Sequence, residues 1–162
     1  MTIAVGDKLP QATLYFRDAD GAPGSVTLEE KTKGRKVVIF SLPGPFTPTC
    51  SQAHMPSFVR TADEIRAKGV DEIICIVVND IHVAAEWAKQ TGADDAGITM
   101  LVDTGDYSNE IGLAFTVPQL GFFNRPVRYA MIVEDGEVTT LNLEEDRGAC
   151  NFTAGEAIRD LL

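Results

Sequence analysis

The amino-acid sequence predicts an α/β domain in which a mixed sheet is flanked by helices on both faces. Short, continuous apolar runs at 35–43, 71–80 and 98–103 are typical of strands buried on both faces. Each run is followed by a helical segment, so these strands should pair in parallel. A hairpin at 127–143, with an Asp-Gly turn, should add antiparallel strands at an edge of the sheet.

The remaining elements follow from local patterns. "QATLYFRD" alternates like a strand after an irregular lead-in, and apolar residues spaced by three and four predict a helix from Ser51 to Gly69, kinked at Pro56. Helices are also predicted at 82–92 and 108–115, with a loop at 116–126. The last helix, 153–162, should begin with a capping box in which Thr153 is the N-cap and Glu156 its partner.

Length and composition suit a single domain over residues 1–162. The chain is 44% apolar and 23% charged, which is ordinary for a globular protein. No apolar run approaches the roughly 20 residues of a membrane helix, and "MTIAVGDKLPQATL" lacks the pattern of a secretory signal. We therefore expect a cytoplasmic protein without a membrane partner.

Negative charge is concentrated in the second part of the chain. The net charge is −10, and residues 70–162 carry five Lys or Arg against seventeen Asp or Glu. An acidic chain repels phosphate backbones, so nucleic-acid binding is not expected.

Arg128 interrupts the apolar strand "VRYAMIV". A charge in a core strand is unfavourable unless it is paired or functional, so Arg128 is a candidate site residue; the alternative is an edge-strand arginine that faces water. Arg125 lies in a predicted loop before a proline and is expected to be solvated.

The segment "PGPFTPTC" (43–50), called here the elbow, joins a strand to a helix and ends in a thiol. Its three prolines restrict φ and delay entry into the helix. With Thr49 as the expected N-cap, Cys50 lies in the first turn, where free N–H groups and the helix dipole favour a thiolate. The Thr47 hydroxyl could lie against the sulfur. Cys50 is therefore a candidate nucleophile; the alternative is a buried cysteine that acts as a small hydrophobe.

His54 follows Cys50 by four residues, which raises two other possibilities. A Cys–His catalytic pair lacks an evident orienting partner, and a metal site would need ligands from scattered positions, since no CxxC occurs. We expect His54 to be a helix residue near the entrance of the site.

The elbow resembles the active-site signature of the peroxiredoxins, Pro-x-x-x-Thr-x-x-Cys. The longer stretch "SLPGPFTPTCSQAHMPSF" resembles the type II, or peroxiredoxin-5-like, subfamily. The resemblance continues through "IICIVVND", "SNEIGLAF" and "RPVRYAMIVEDGEV", and it implies a thioredoxin-like fold. One departure is Pro45, where the subfamily usually has alanine; it should stiffen the elbow further.

The resemblance implies a thiol peroxidase that acts on hydrogen peroxide and organic hydroperoxides. Cys50 would be the peroxidatic cysteine that becomes a sulfenic acid, Thr47 its hydroxyl partner, Arg128 the activating arginine and Pro43 the shield of the pocket. No metal, flavin or nicotinamide cofactor is expected, and glutathione with glutaredoxin, or thioredoxin, would reduce the enzyme. The alternative is a non-catalytic thioredoxin-like module that senses oxidation or binds a partner.

The other two cysteines bear on how the sulfenic acid is reduced. Cys75 lies in an apolar strand and is expected to be buried. Cys150 lies in a polar loop, and in some members of the subfamily a cysteine in this region resolves the sulfenic acid. Direct attack by an external thiol is the alternative, and the imperfect spacing of Cys150 slightly favours it.

Apolar residues in predicted loops indicate an interface. Phe46 in the elbow, and Leu120, Phe122 and Phe123 in the 116–126 loop, are difficult to bury within one small domain. Because subfamily dimers form around the active-site loop, the resemblance also implies a homodimer.

Overall fold

A computed structural model describes residues 2–146 and 148–162, and for Cys50 it describes the backbone alone. The strands are β1 Thr13–Arg17, β2 Pro23–Thr27, β3 Lys36–Ser41, β4 Glu72–Val78, β5 Thr99–Asp103, β6 Ala114–Val117, β7 Phe122–Pro126, β8 Tyr129–Glu134 and β9 Glu137–Leu143. Within the described residues, seven of them form one sheet in the order β2-β1-β5-β4-β3-β8-β9, and β6 pairs with β7.

The sheet is mixed, as the sequence predicts. The three apolar runs become β3, β4 and β5, which pair in parallel. At one edge β8 pairs antiparallel with β3 and then with β9. At the other edge β1 pairs antiparallel with β5 and with β2, a strand that the sequence analysis missed.

Helices cover both faces of this sheet. They are α1 Leu28–Thr32, α2 Met55–Ala67, α3 Ile81–Thr91, α4 Asp106–Glu110 and α5 Gly155–Asp160. Alternate side chains of β4 enter two cores: Ile73 and Val77 pack with α2, α3 and α5, whereas Ile74 and Ile76 pack with α1 and α4. The fold class is therefore confirmed, and the two-sided burial explains why β4 reads as a continuous apolar run.

The predicted helix at 108–115 is wrong beyond Glu110. Gly112 has a φ of +76°, a conformation in which the chain leaves the helix. The predicted loop at 116–126 is also wrong, because most of it belongs to the β6–β7 hairpin. The Phe115 and Phe122 rings meet edge to face across this hairpin, with centroids 6.2 Å apart.

The capping box predicted for the last helix is wrong as well. The N-cap of α5 is Ala154, which makes no side-chain cap hydrogen bond. Instead the Thr153 hydroxyl donates to Glu144 Oε1 at 3.0 Å, and Glu156 accepts from Arg60 at 2.7 Å. The chain enters α5 one residue later than predicted, and both side chains that the local pattern assigned to the cap make long-range hydrogen bonds.

Within the described part of the chain, none of the helices has the length and apolar character that crossing a bilayer requires. In the same part, no cluster of three or more His, Cys, Asp or Glu side chains is arranged to hold a metal ion.

Candidate active site

The elbow is a tight turn between β3 and the following helix. The Thr47 N–H and hydroxyl both donate to the Gly44 carbonyl, at 3.4 and 2.7 Å. Phe46 has a φ of +64°, in the left-handed region that bulky residues rarely adopt. Pro43 is buried, whereas Phe46 is exposed. Local backbone strain of this kind concentrates at functional sites.

The helix after the elbow begins two residues earlier than predicted. Residues 48–49 are already helical, and the Ser51 N–H donates to the Thr47 carbonyl at 3.0 Å. Thr49 is therefore not the N-cap, since it lies inside the helix; its hydroxyl donates to the Gly148 carbonyl at 3.0 Å. Proline is well suited to the first position of a helix, which explains the earlier start at Pro48. Cys50 still lies in the first turn; its side chain is outside the described residues.

Residues Cys50–His54 form one π-helical turn before α2. Pro56, in the first turn of α2, has no N–H to donate, so the regular series of α-helical hydrogen bonds is interrupted there. The sequence predicts a kink near this position. The Trp87 indole N–H of α3 donates to the Ser51 hydroxyl at 2.9 Å and fixes this turn against the domain. Wide turns of this type are frequent at functional sites.

Arg128 directly precedes β8 and is only 3% exposed. It lies two residues before Ala130, whose side chain packs in the core beneath α2, so Arg128 projects toward the same face. Its Nη1 donates to His54 Nδ1 at 3.0 Å. The structure therefore excludes the water-facing alternative for Arg128 and joins it to the helical turn that contains Cys50.

His54 is fully buried, so the expectation that it lies near the site entrance is wrong. Its ring packs between Phe40 and Phe58, with centroids 5.2 and 5.6 Å away, and its Nε2 donates to the Thr153 carbonyl at 3.0 Å. Burial, together with the neighbouring Arg128 charge, lowers the pKa of His54 to about 3. The imidazole is therefore neutral at physiological pH.

Arg125 contacts the elbow, so the expectation that it is solvated is wrong. Its Nη1 donates to the Pro43 carbonyl at 2.9 Å, and its guanidinium carbon lies 4.9 Å from the centre of the Phe122 ring. A Cβ at Gly44 would collide with the same guanidinium. The scarcity of cations after residue 70 was the one sequence signal that pointed to Arg125.

Cys150 lies in a segment that packs beside the elbow. Glu144 Oε1 accepts the N–H groups of Asn151 and Thr153, at 2.6 and 2.9 Å, and Gly148 accepts from Thr49. Partial burial raises the pKa of the Cys150 thiol, although the Thr153 hydroxyl and the Arg128 charge act in the opposite direction. Cys75 is fully buried in β4, as predicted.

Exposed apolar side chains occur in the elbow and in the two segments that contact it, and they are called here the apolar surface around the elbow. Four side chains there are more than half exposed: Phe46, Leu120, Phe123 and Phe152. The Arg125–Pro43 and Thr49–Gly148 hydrogen bonds bring their three segments together. The expectation that Phe122 lacks a burial site is wrong, because it is half-buried against Phe115.

The redoxin family model matches residues 4–157 of the chain. A rice protein named peroxiredoxin-2E-2, chloroplastic, is 45% identical over 99% of this chain and 73% of its own length. The chain belongs to the peroxiredoxins. Reduced Prx3 of Vibrio vulnificus, in complex with hydrogen peroxide, is a similar peroxiredoxin structure, with 38% identity, a TM-score of 0.91 and 99% coverage of both chains.

A peroxiredoxin of Synechocystis is also 43% identical, over 88% of this chain and 79% of its own length. Similarity of this extent confirms the type II peroxiredoxin family and the thioredoxin-like fold predicted from the elbow motif. The protein is therefore a thiol peroxidase, and the non-catalytic module kept as the alternative is set aside.

Proposed function

We propose that this peroxiredoxin reduces hydrogen peroxide and organic hydroperoxides at Cys50, with Thr47, Arg128 and Pro43 completing the site. One observation carries the assignment: the buried Arg128 is hydrogen-bonded to His54, the last residue of the turn that begins at Cys50. A guanidinium in a buried setting favours a nearby thiolate and the negative charge that develops on a peroxide oxygen.

The first step transfers one oxygen atom to sulfur. The Cys50 thiolate attacks the peroxide oxygen, a sulfur–oxygen bond forms, and the O–O bond breaks. The departing alkoxide or hydroxide takes up a proton and leaves as alcohol or water, while Cys50 becomes a sulfenic acid. A helix N-terminus supplies unpaired N–H groups, and Cys50 lies in the first turn, where they stabilise the thiolate.

Thr47 is suited to accept a hydrogen bond from the substrate. Its hydroxyl proton is donated to the Gly44 carbonyl, so the lone pairs of Oγ1 are available to a peroxide O–H. Thr47→Ser should therefore keep most of the activity and Thr47→Val should lose it. Pro43 is buried, which supports its proposed role as the shield of the pocket.

The decisive experiment compares single-turnover peroxide reduction in Cys50→Ser, Arg128→Ala and Arg60→Ala. Cys50→Ser should be inactive. Arg128→Ala should raise the pKa of Cys50 and slow the reaction by roughly 30- to 1000-fold, the effect of losing a contact to developing charge. Arg60 is exposed on α2, so Arg60→Ala is the matched control. Turnover by Cys50→Ser, or an Arg128→Ala rate within about threefold of wild type, would overturn the assignment.

We further propose that Cys150, rather than Cys75, resolves the sulfenic acid. The Cys150 thiol would attack the Cys50 sulfur, form a disulfide and release water, after which a dithiol reductant such as thioredoxin, or glutathione with glutaredoxin, restores both thiols. The contact between Gly148 and Thr49 supports this assignment because it lies beside Cys50. A disulfide requires Cα atoms within about 7 Å. Because Cys50 is held in the first turn of a helix, the 144–152 segment would supply any movement that brings the two sulfurs together.

Peptide mapping after one equivalent of peroxide tests this route. A Cys50–Cys150 linked peptide should form in wild type and in the control Cys75→Ser, and it should be absent in Cys150→Ser. If Cys150→Ser turns over as fast as wild type with glutathione and glutaredoxin, an external thiol resolves the enzyme and Cys150 is dispensable.

We propose a homodimer that covers the apolar surface around the elbow. Phe46, Leu120, Phe123 and Phe152 would be buried against a second copy. Phe123→Glu should shift the sedimentation mass from dimer to monomer, whereas Val5→Glu, a change at an exposed apolar residue in another segment, should not. A monomeric wild type at micromolar concentration would contradict the proposal.

We propose that the protein works in the cytoplasm. The catalytic cycle needs reduced thiols and a thiol donor, which a reducing compartment supplies. Fractionation of the source cells should place the protein with cytoplasmic markers; recovery with a plastid fraction would contradict the proposal and would match the rice relative.

A further inference from the structure

His54 joins Arg128 to the segment that contains Cys150. On one side of the ring, Nδ1 lies 3.0 Å from Arg128 Nη1. On the other side, Nε2 lies 3.0 Å from the Thr153 carbonyl oxygen. The ring is fully buried between Phe40 and Phe58, so water cannot replace either contact.

These two partners permit one protonation state of the ring. A guanidinium only donates hydrogen bonds, so Nδ1 must carry a lone pair and accept. A carbonyl oxygen only accepts, so Nε2 must carry the proton. His54 is therefore the neutral Nε2–H tautomer, and a protonated ring would place an N–H against the Arg128 guanidinium.

We infer that His54 is a positioning residue that orients the Arg128 guanidinium and connects its orientation to Thr153. The inference rests on the proposed role of Arg128 in activating Cys50. His54 acts through Arg128, and no contact of the imidazole with the peroxide is required.

Thr153, which accepts the hydrogen bond from His54, is itself held in place by Glu144. Glu144 accepts from the Thr153 N–H at 2.9 Å and from its hydroxyl at 3.0 Å. The same carboxylate accepts from the Asn151 N–H, next to Cys150. The segment that contains Cys150 therefore supports the histidine that orients Arg128, so the orientation of Arg128 depends on the packing of this segment.

Two substitutions at His54 separate orientation from packing. His54→Phe keeps an aromatic ring between Phe40 and Phe58 but removes both hydrogen bonds. His54→Asn places a carbonyl oxygen near the position of Nδ1, so it can still accept from Arg128. Thr61→Ala is the matched control, because Thr61 is buried two turns further along α2 and its hydroxyl donates to the Ser57 carbonyl at 2.8 Å rather than to His54 or Arg128.

The readouts are the pKa of Cys50, from the pH dependence of its alkylation, and the single-turnover rate with hydrogen peroxide. His54→Phe should raise that pKa and slow the reaction by about tenfold or more, as expected when a charge-stabilising group is misaligned. His54→Asn should recover most of the loss, and Thr61→Ala should change stability but neither readout. A wild-type rate and pKa in His54→Phe would overturn the inference, as would equal losses in the Phe and Asn variants.

A double-variant cycle distinguishes the inference from the function on which it rests. In an Arg128→Ala background, His54→Phe should change the rate by less than about twofold, because the two residues act as one unit. If Arg128→Ala alone has no effect, the proposed role of Arg128 fails. If Arg128→Ala is slow and the His54→Phe effect is fully additive, only the inference about His54 fails.

Nitrogen NMR of the wild-type protein supplies a test that does not depend on whether the variants fold. His54 should show a proton on Nε2 alone throughout the range in which the enzyme is active. A proton on Nδ1, or a ring that becomes doubly protonated within that range, would exclude the contact with Arg128 and overturn the inference.

Discussion

His54 makes the stability of the protein depend on pH. Its folded pKa is about 3, well below the ordinary value of 6.5, so the unfolded chain binds a proton that the folded chain rejects. The contribution of His54 to the free energy of unfolding is therefore complete above about pH 6.5 and falls as the pH drops toward 3. The slope from this residue approaches about 1.4 kcal/mol per pH unit.

Urea unfolding between about pH 7.5 and pH 5 measures this contribution. Wild type should lose about 2 kcal/mol more than His54→Asn over that interval. His82→Asn is the control, because His82 is the second histidine and is exposed. Parallel profiles for wild type and His54→Asn would show that the buried ring is not the source of the acid sensitivity.

The elbow is supported as an element by the β6–β7 hairpin. Arg125 of β7 donates to the Pro43 carbonyl, and its guanidinium occupies the space beside Gly44. Arg125→Ala should therefore loosen the elbow and slow peroxide reduction about three- to tenfold, while Arg125→Lys should recover only part of the rate because lysine lacks the planar fork. Hydrogen exchange at Thr47 and single-turnover kinetics measure the two effects.

Gly44 provides a compensation test for this contact. Gly44→Ala should lower the free energy of unfolding by no more than Arg125→Ala does, because the added Cβ displaces the end of the flexible Arg125 side chain and removes its contact with Pro43. The double variant Gly44→Ala/Arg125→Ala should be no less stable than Arg125→Ala alone. Additive losses would mean that the methyl group collides with something other than Arg125.

At the scale of the whole molecule, Glu72 of β4 connects its own strand to α1, to the segment before β3 and to β5. Its carboxylate accepts from Lys31 of α1 and from Arg35 before β3, each at 2.9 Å, and from Thr99 of β5. Burial alone would raise the pKa of Glu72, but the hydrogen bonds from Thr99, Lys31 and Arg35 outweigh burial and hold that pKa below its ordinary value. The side chain is 14% exposed, so these contacts are only partly screened by solvent.

Glu72→Gln should lower the free energy of unfolding by about 1–2 kcal/mol near pH 7, because charged hydrogen bonds are lost. A depressed folded pKa contributes stability above the unfolded pKa and loses it as the pH falls through the folded value. The gap between wild type and Glu72→Gln should therefore shrink below about pH 4 in urea unfolding experiments. A gap that stays constant below that pH would assign the effect to packing.

Several features of the protein were determined by its sequence alone. Apolar runs define β3, β4 and β5, because strands buried on both faces need apolar side chains at every position. The helix α3 begins after Asp80, whose side chain caps its first N–H groups, and ends at Gly92, which adopts a left-handed conformation. Both are local effects of the sequence. The elbow motif was sufficient to predict the family.

Only the tertiary structure decided how the candidate site is supported. His54 bonds to Arg128, 74 residues away in sequence, and Arg125 bonds to Pro43, 82 residues away. Local sequence patterns cannot predict these contacts, because the contacts depend on how the strands and hairpins are arranged in space around the sheet. Thr49 and Thr153 are likewise not the caps that their neighbours predicted. The helix after the elbow already includes residues 48–49, α5 begins at Gly155, and both hydroxyls donate to distant segments of the chain.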